Sequence, residues 1–209
     1  MGDAASFIDP LSSYGVKKAL ASAWLSAVAT HTALRHPERA EMARSFFSRR
    51  EEQMQGRYAH EAARFAAEAA SRYPGSAFWR ARAASPPSRR EDADDELAAA
   101  DEIQRAWEAL KSRPRLALRL GSEVRFAPGP LVVDHEIVMA DALVRETGGA
   151  VHFVDGVHAP TLARLAPGAD QFGQLYEAYN RSAPKVALGE FARGLATLVA
   201  AGLLRPREP

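Results

Sequence analysis

The 209-residue chain contains no cysteine. Disulfides, zinc–thiolate centres and cysteine nucleophiles are therefore excluded, and a reducing cytoplasm is allowed and taken as its expected place. Neither sign of charge is in excess: 27 Lys and Arg stand against 26 Asp and Glu, a net charge of +1 with histidine neutral. That balance gives no electrostatic reason to expect nucleic acid or an acidic membrane as a partner. Long apolar runs are absent too. The longest, from Ala19 to Ala29, is broken by Ser22 and Ser26, is too short to span a bilayer, and reads as a buried helix. The first residues show no basic stretch leading into an apolar core, so no signal peptide is expected. No Gly-x-Ser-x-Gly elbow occurs, which leaves a serine hydrolase without support, and none of the six histidines has His-x-x-x-His spacing, which leaves a helical metal site without support.

What is present is an ordinary globular mixture, 47% hydrophobic and 25% charged. Val16, Ala19, Leu20, Ala23, Ala27, Val28 and Leu34 recur at helical spacing and predict a helix over 16–34, with Ser12 and Ser13 as capping hydroxyls. After a break at His36-Pro37, a second long helix is predicted to about Tyr73, with Phe46, Phe47, Met54, Tyr58, Phe65 and Ala69 on its apolar face and Gly56 as its weak point. A short amphipathic piece, SAFWRARAA, follows. SPPSRREDADDE reads as a solvated linker, and Glu91–Glu96 suits the start of a helix carrying Leu97, Ile103, Trp107 and Leu110. Beyond Pro114 the period shortens. LALRLGSEVRFAPG predicts a hairpin turning at Gly121-Ser122, and LVVDHEIVM and AVHFVDGV predict strands that hold His135 and His152. Helices are predicted at 171–181 and 188–201, and GLLRP as a last strand. The expected fold class is α+β and mainly α, with long helices in the N-terminal half and a small winged-helix-like α/β module at the C-terminus. The expected division is 1–85, a linker and helix at 86–114, and 115–209.

The chemistry is concentrated at the start. In Gly2-Asp3-Ala4-Ala5 the glycine permits a tight turn, and the Asp3 carboxylate accepts hydrogen bonds from ribose or ribityl hydroxyls. Ser13, Tyr14, Gly15 and Val16 then fall at a helix N-terminus. Unpaired N–H groups and the positive end of the helix dipole gather there and suit an anionic ring edge, a carbonyl oxygen or a halide. Gly15 lets a flat ligand come close to the backbone. Asp9-Pro10 also reads as a turn, and Ser12-Ser13 as a cap.

Taken together, GDAASFIDPLSSYGVKKAL resembles the second flavin-contacting motif of FAD-dependent monooxygenases, the group that includes the flavin-dependent halogenases such as the tryptophan halogenases. The resemblance is strong over about twenty residues, and the helical stretch to about Arg82 is family-like. It implies FAD as cofactor, with Gly2, Asp3 and Ala4 at the ribityl chain and Pro10 against the isoalloxazine. The N–H groups around Ser13, Tyr14, Gly15 and Val16 would face the pyrimidine edge or a halide. It also implies reduced flavin and O₂ oxygenating a small organic substrate or oxidising halide. The departures are specific. Ser12 stands where tryptophan-type halogenases carry Glu, and Tyr14 where the family has a small residue. The strand with Gly-x-Gly-x-x-Gly, the catalytic lysine and the Trp-x-Trp-x-x-Pro signature of that family do not occur. The expectation is a C-terminal portion of a larger flavoprotein, with the N-terminal dinucleotide-binding half as its missing partner and with no activity when isolated.

No residue stands out as a general acid or base. The Phe46, Phe47 and Phe65 stripe reads as core, although such helix faces line a substrate cavity in the resembling family. Two other classes are carried beside the oxidoreductase. One is a non-catalytic binding module whose C-terminal winged-helix-like part engages a peptide or carrier partner. The other is a helical structural protein.

Overall fold

The computed structural model describes residues 15–84, 97–145 and 149–207. The predicted linker at 85–96 lies outside them. The fold is α+β with helix dominant, and the chain divides into two compact units. The first comprises 1–93 together with 132–137, the second 94–131 together with 138–209.

In the first unit, α1 (Gly15–Arg35) and α2 (Ala40–Arg72) are joined by a 3-10 turn at Pro37–Arg39, where Pro37 needs no N–H partner. α2 continues through Gly56 without interruption and ends at Tyr73-Pro74. α3 (Ala77–Ala83) begins at Ser76, whose hydroxyl accepts from the Trp79 N–H at 3.4 Å. The core of this unit is small: Val28 and Ala29 of α1, Ala43 of α2 and Ile137, with Met42, Phe46, Phe47 and Val132 packed around them.

The orientation of α1 departs from the sequence expectation. Its buried stripe is Lys18, Ser22, Leu25, Val28, Ala29 and Thr32. Of the residues expected on its apolar face Val28 is buried, but Val16, Leu20 and Leu34 face outward, 76%, 67% and 78% exposed, together with Trp24 at 53%. Periodicity locates two opposed stripes on this helix, and the richer one in large apolar residues is the one left uncovered. Phe65, expected on the buried face of α2, is likewise exposed.

The second unit is built on α4 (Ala100–Lys111) and α7 (Leu188–Ala200), with α5 (Ala159–Leu165) and α6 (Phe172–Ser182) beside them. α4 starts three residues later than Leu97. The Ala99 N–H donates to the Glu102 carboxylate at 2.9 Å, and that bond fixes the start. Phe191 of α7 is the centre of an aromatic group, with Phe172, Tyr176 and Tyr179 at ring-centroid distances of 5.5, 5.2 and 5.4 Å.

Among the described residues the strands form three small antiparallel sheets. β1 (Leu118–Leu120) pairs with β7 (Leu204–Pro206), Leu120 opposite Leu204. The hairpin expected at Gly121-Ser122 does not form. Gly121 instead donates to Leu203 O at 3.0 Å and approaches Gly202 so closely that a Cβ there would clash with the Gly202 carbonyl. β2 (Val124–Val133) and β3 (Glu136–Arg145) make the actual hairpin, and β4 (Ala150–Val151) pairs with β3. Asp134 and His135, expected within a strand, are its two-residue turn, with φ of 47° and 66°. Those values match the left-handed conformations of a type I′ turn, which continues the strand twist. A second such turn, Asp155-Gly156, joins β5 (Phe153–Val154) to β6 (Val157–His158). His152 therefore lies between two short strands, and His158 ends one.

Candidate functional site

The motif residues Gly2, Asp3, Ala4, Pro10, Ser13 and Tyr14 lie outside the described residues. Gly15 and Val16 open α1. Among the described residues nothing lies within 4 Å of a Cβ built on Gly15, so none of them requires a glycine there. Val16 is exposed, and the first turn of α1 contains no acidic residue. The helix dipole at this end of α1 is thus not offset by an acidic residue of its own first turn.

One turn further on, the inward face of α1 is polar. Lys18 is fully buried, and its Nζ lies 3.8 Å from Glu51 Oε2 of α2. Ser22, one turn on along the same face of α1, is fully buried, and its hydroxyl has no hydrogen-bond partner among the described residues. None of these three residues stood out in the sequence. Lys18 and Ser22 belong to the complete helical stripe 18, 22, 25, 28/29, 32, whose polar members favoured the opposite face as core, and Glu51 carried no such signal.

The other end of α1 holds the tip of the β2–β3 hairpin. The Thr32 hydroxyl donates to Val28 O and accepts from the Ile137 N–H, both at 2.9 Å. Glu136 is within 3.2 Å of His36 Nε2 and 3.7 Å of both His31 Nε2 and Arg35 Nε. These contacts anchor the turn. Two of the sequence's histidines are thereby explained as partners of a carboxylate.

The second unit carries its own titratable group of residues. Asp141 and Arg164 form an ion pair at 2.5 Å, and the Arg164 guanidinium lies 4.5 Å from the Phe126 ring centroid. The hydrogen bond from Arg164 holds the Asp141 carboxyl below its ordinary range. His158 Nδ1 is 2.8 Å from Thr161 Oγ1, and its backbone N–H donates to the Tyr179 hydroxyl at 2.7 Å. Burial pushes the His158 imidazole below 6.5, with His152 and Arg164 acting in the same direction and Asp141 against them. His152 Nδ1–H donates to Asp141 O at 2.9 Å, and its other ring nitrogen lies 3.3 Å from Pro130 O, so it ties β2 to β3. Among the described residues no three His, Asp or Glu side chains are placed to hold a metal ion. No described helix is long and apolar enough to cross a membrane.

No family model matches the chain, and no curated protein matches it in sequence. Solved structures do. The chain is similar over 97% of its length to a peptidyl tryptophan dihydroxylase, QhpG, essential for tryptophylquinone cofactor biogenesis, with a TM-score of 0.59 and 26% identity over 40% of that chain. It is similar over 95% of its length to CmlS, a flavin-dependent halogenase, with a TM-score of 0.58 and 18% identity over 42% of that chain. Both neighbours are enzymes, and the fold described above is that of part of each. The chain spans about two-fifths of the length of both.

Proposed function

We propose that this chain contributes the second FAD-contact segment and the substrate-side helices of a FAD-dependent oxidoreductase of the monooxygenase or halogenase type. The observation that carries the reading is a coincidence of position. The Gly2-Asp3-Ala4 to Gly15 motif runs directly into α1, in a chain whose fold matches part of a flavin-dependent halogenase. When bound, reduced flavin supplies the activation of O₂ that oxygenation or halide oxidation needs.

The chain's own residues have narrower tasks. Asp3 accepts from ribityl hydroxyls, Pro10 lies along the ring, and the N–H groups from Ser13 to Val16 bind the ring's oxygen-bearing edge. Gly15 leaves the space for that approach, and α1 and α2 flank the substrate. A small organic molecule is the substrate. The phosphates and adenosine of FAD require a dinucleotide-binding half, the principal partner, so the isolated chain binds FAD weakly and is inactive. The location is cytoplasmic. We read the second unit as winged-helix-like from its succession of three short helices, α5 to α7, and the closing strand β7.

The test is FAD affinity by fluorescence titration of the chain mixed with a separately supplied dinucleotide-binding half of a flavoprotein of this type. A carboxylate–hydroxyl hydrogen bond is worth roughly 1.5–3 kcal/mol, so Asp3→Ala is expected to weaken FAD binding by about ten- to a hundredfold. His135→Ala, at the hairpin turn, is expected to leave it unchanged. Wild-type affinity in Asp3→Ala would refute the placement.

A further inference from the structure

Two arginines stand directly opposite each other in the second unit. In the β1–β7 ladder Arg119 pairs with Arg205. The bonds from Gly121 N–H to Leu203 O at 3.0 Å and from Arg207 N–H to Ala117 O at 2.7 Å lie one on each side of that pair. Hydrogen-bonded partners alternate along an antiparallel ladder, so Arg119 and Arg205 are such partners, with Cα atoms about 5.5 Å apart and side chains on one face. Both are exposed, and so is Arg207, two residues on from Arg205. Leu118 and Leu204, the alternate residues, are fully buried in the core of the unit and fix the ladder from below.

Opposed like charges destabilise a strand pair. Elsewhere this chain sets arginines against carboxylates, as in Arg64–Glu61, Arg105–Asp101 and Arg164–Asp141. Among the described residues Arg119, Arg205 and Arg207 have no such partner. Glu123, next along the chain, and Asp170, whose carbonyl accepts from the Leu116 N–H, are exposed and pair with none of them. The Arg205 guanidinium lies over Gly202, just past the C-terminal end of α7, where a cation is favourable. That accounts for a charge at 205 and leaves the one facing it unaccounted for.

We propose that Arg119 and Arg205, with Arg207 beside them, form a binding site for a phosphate monoester. The charge and the forks select this class. Two opposed guanidiniums carry two positive charges. A phosphate monoester brings about −1.5 to −2 at neutral pH and three acceptor oxygens, enough to engage both. A carboxylate brings one charge and two oxygens and occupies a single fork. A nucleic-acid strand brings one charge per phosphodiester, and the near-equal totals of basic and acidic residues give no broad positive field to hold it. The site is independent of the flavin reading.

The test titrates the full chain with phenyl phosphate at an ionic strength of about 0.15 M, following the backbone amide and arginine Nε–H resonances. Benzoate and duplex DNA run in parallel. The expected result is a saturable shift of residues 117–121 and 203–207, with a dissociation constant below about 10 mM. Arg119→Ala and Arg205→Ala should each weaken it at least about tenfold, and Arg181→Ala, on α6, should not. Arg119→Glu should abolish binding yet melt roughly 1–5 °C higher, because it replaces a repulsion across the ladder with an attraction. A phosphothreonine peptide, set against its unphosphorylated form, separates the two sources of the group: tighter binding than phenyl phosphate assigns it to a protein partner, and equal or weaker binding to a small molecule. Benzoate binding as well as phenyl phosphate would overturn the phosphate class. DNA binding lost in the same variants would overturn it in favour of a nucleic acid. No saturation with phenyl phosphate would overturn the site, and self-association of Arg119→Ala in light scattering would then give the arginines to protection of an exposed strand edge. An Arg119→Glu variant that folds but melts below wild type would overturn the premise that the two charges oppose each other.

Discussion

Replacing Thr32 with valine should loosen the hairpin tip by an amount that can be worked from the contacts. Thr32 and Ile137 are both fully buried, and the threonine hydroxyl is the acceptor of the Ile137 N–H at 2.9 Å. Valine has nearly the same shape, so no cavity opens and α1 keeps its packing. Val28 O loses the hydroxyl that donates to it but keeps the helix's own i→i+4 bond. The Ile137 N–H is then left without an acceptor, in a core made of Val28, Ala29 and Ala43. An orphaned buried donor costs roughly 1–3 kcal/mol, which is about a five- to 150-fold change in an opening equilibrium. Hydrogen exchange reads this directly: the Ile137 amide should exchange faster by that factor in Thr32→Val. Thr32→Ser retains the hydroxyl and should keep most of the protection, losing only the packing of one methyl group. If Ile137 exchanged at the wild-type rate in Thr32→Val, the hydroxyl would not be what holds the tip, and the ion pairs of Glu136 would have to carry it.

Gly194→Ala would place a Cβ 2.8 Å from Val157 Cγ2 and 3.0 Å from Val154 O, so it should destabilise the second unit by about 1–3 kcal/mol in urea denaturation. Gly56→Ala, in the open middle of α2, should instead stabilise by about 0.5–1 kcal/mol, and equal signs for the two would refute the packing argument. The folded-state His158 pKa lies below the unfolded 6.5, so the unfolded chain binds the proton first. Stability is complete above pH 6.5 and is lost as pH falls through the folded value. His158→Asn, which keeps a polar group near Thr161, should flatten the fall in urea midpoint between about pH 7 and 5, and an unchanged slope would refute this. The exposed Val16, Leu20 and Trp24 stripe should drive concentration-dependent self-association of the chain in light scattering, relieved by Trp24→Lys. A wild-type chain that stays monomeric at high concentration would refute it.

Most of the element order was legible because each long element repeats its apolar residues at a helical period. α1, α6 and α7 begin and end within about one residue of the expected bounds, and α2 ends one residue before the expected Tyr73 but begins at Ala40, after a separate 3-10 turn at Pro37–Arg39. What periodicity could not supply was the facing of α1. Both of its stripes are continuous, and the choice between them depends on what α2 presents, namely Glu51 for Lys18. Strand pairing was hidden for a related reason. β1 is three residues long, and its partner lies at the far end of the chain, so local turn chemistry at Gly121 suggested a neighbour that the Gly202 carbonyl excludes. The Asp134-His135 turn was missed because both positions lack glycine, the usual mark of a left-handed pair. α5 was missed because at seven residues it is too short to display a period. The motif from Gly2 to Tyr14 lies outside the described residues and its reading stands as a proposal, whereas the buried polar residues on α1 and α2 were not legible, since polar residues give no sign of burial until a partner helix covers them.

The assignment of residues 132–137 to the helical unit makes that unit discontinuous in sequence. Its helices are complete at Arg72 or shortly after, yet Ile137, fully buried in their core, is separated from Arg72 by the 64 residues 73–136. At translation rates of about 5–20 residues per second, α1 and α2 therefore exist for roughly 3–13 seconds before the last piece of their core has been made. During that interval Val28 and Ala43 lack Ile137, and the Thr32 hydroxyl lacks the N–H it will accept. A gene cut at the linker would make this condition permanent. A polypeptide ending near residue 84 would lack the hairpin tip altogether, and with it Ile137, the one member of that core supplied from beyond the helices.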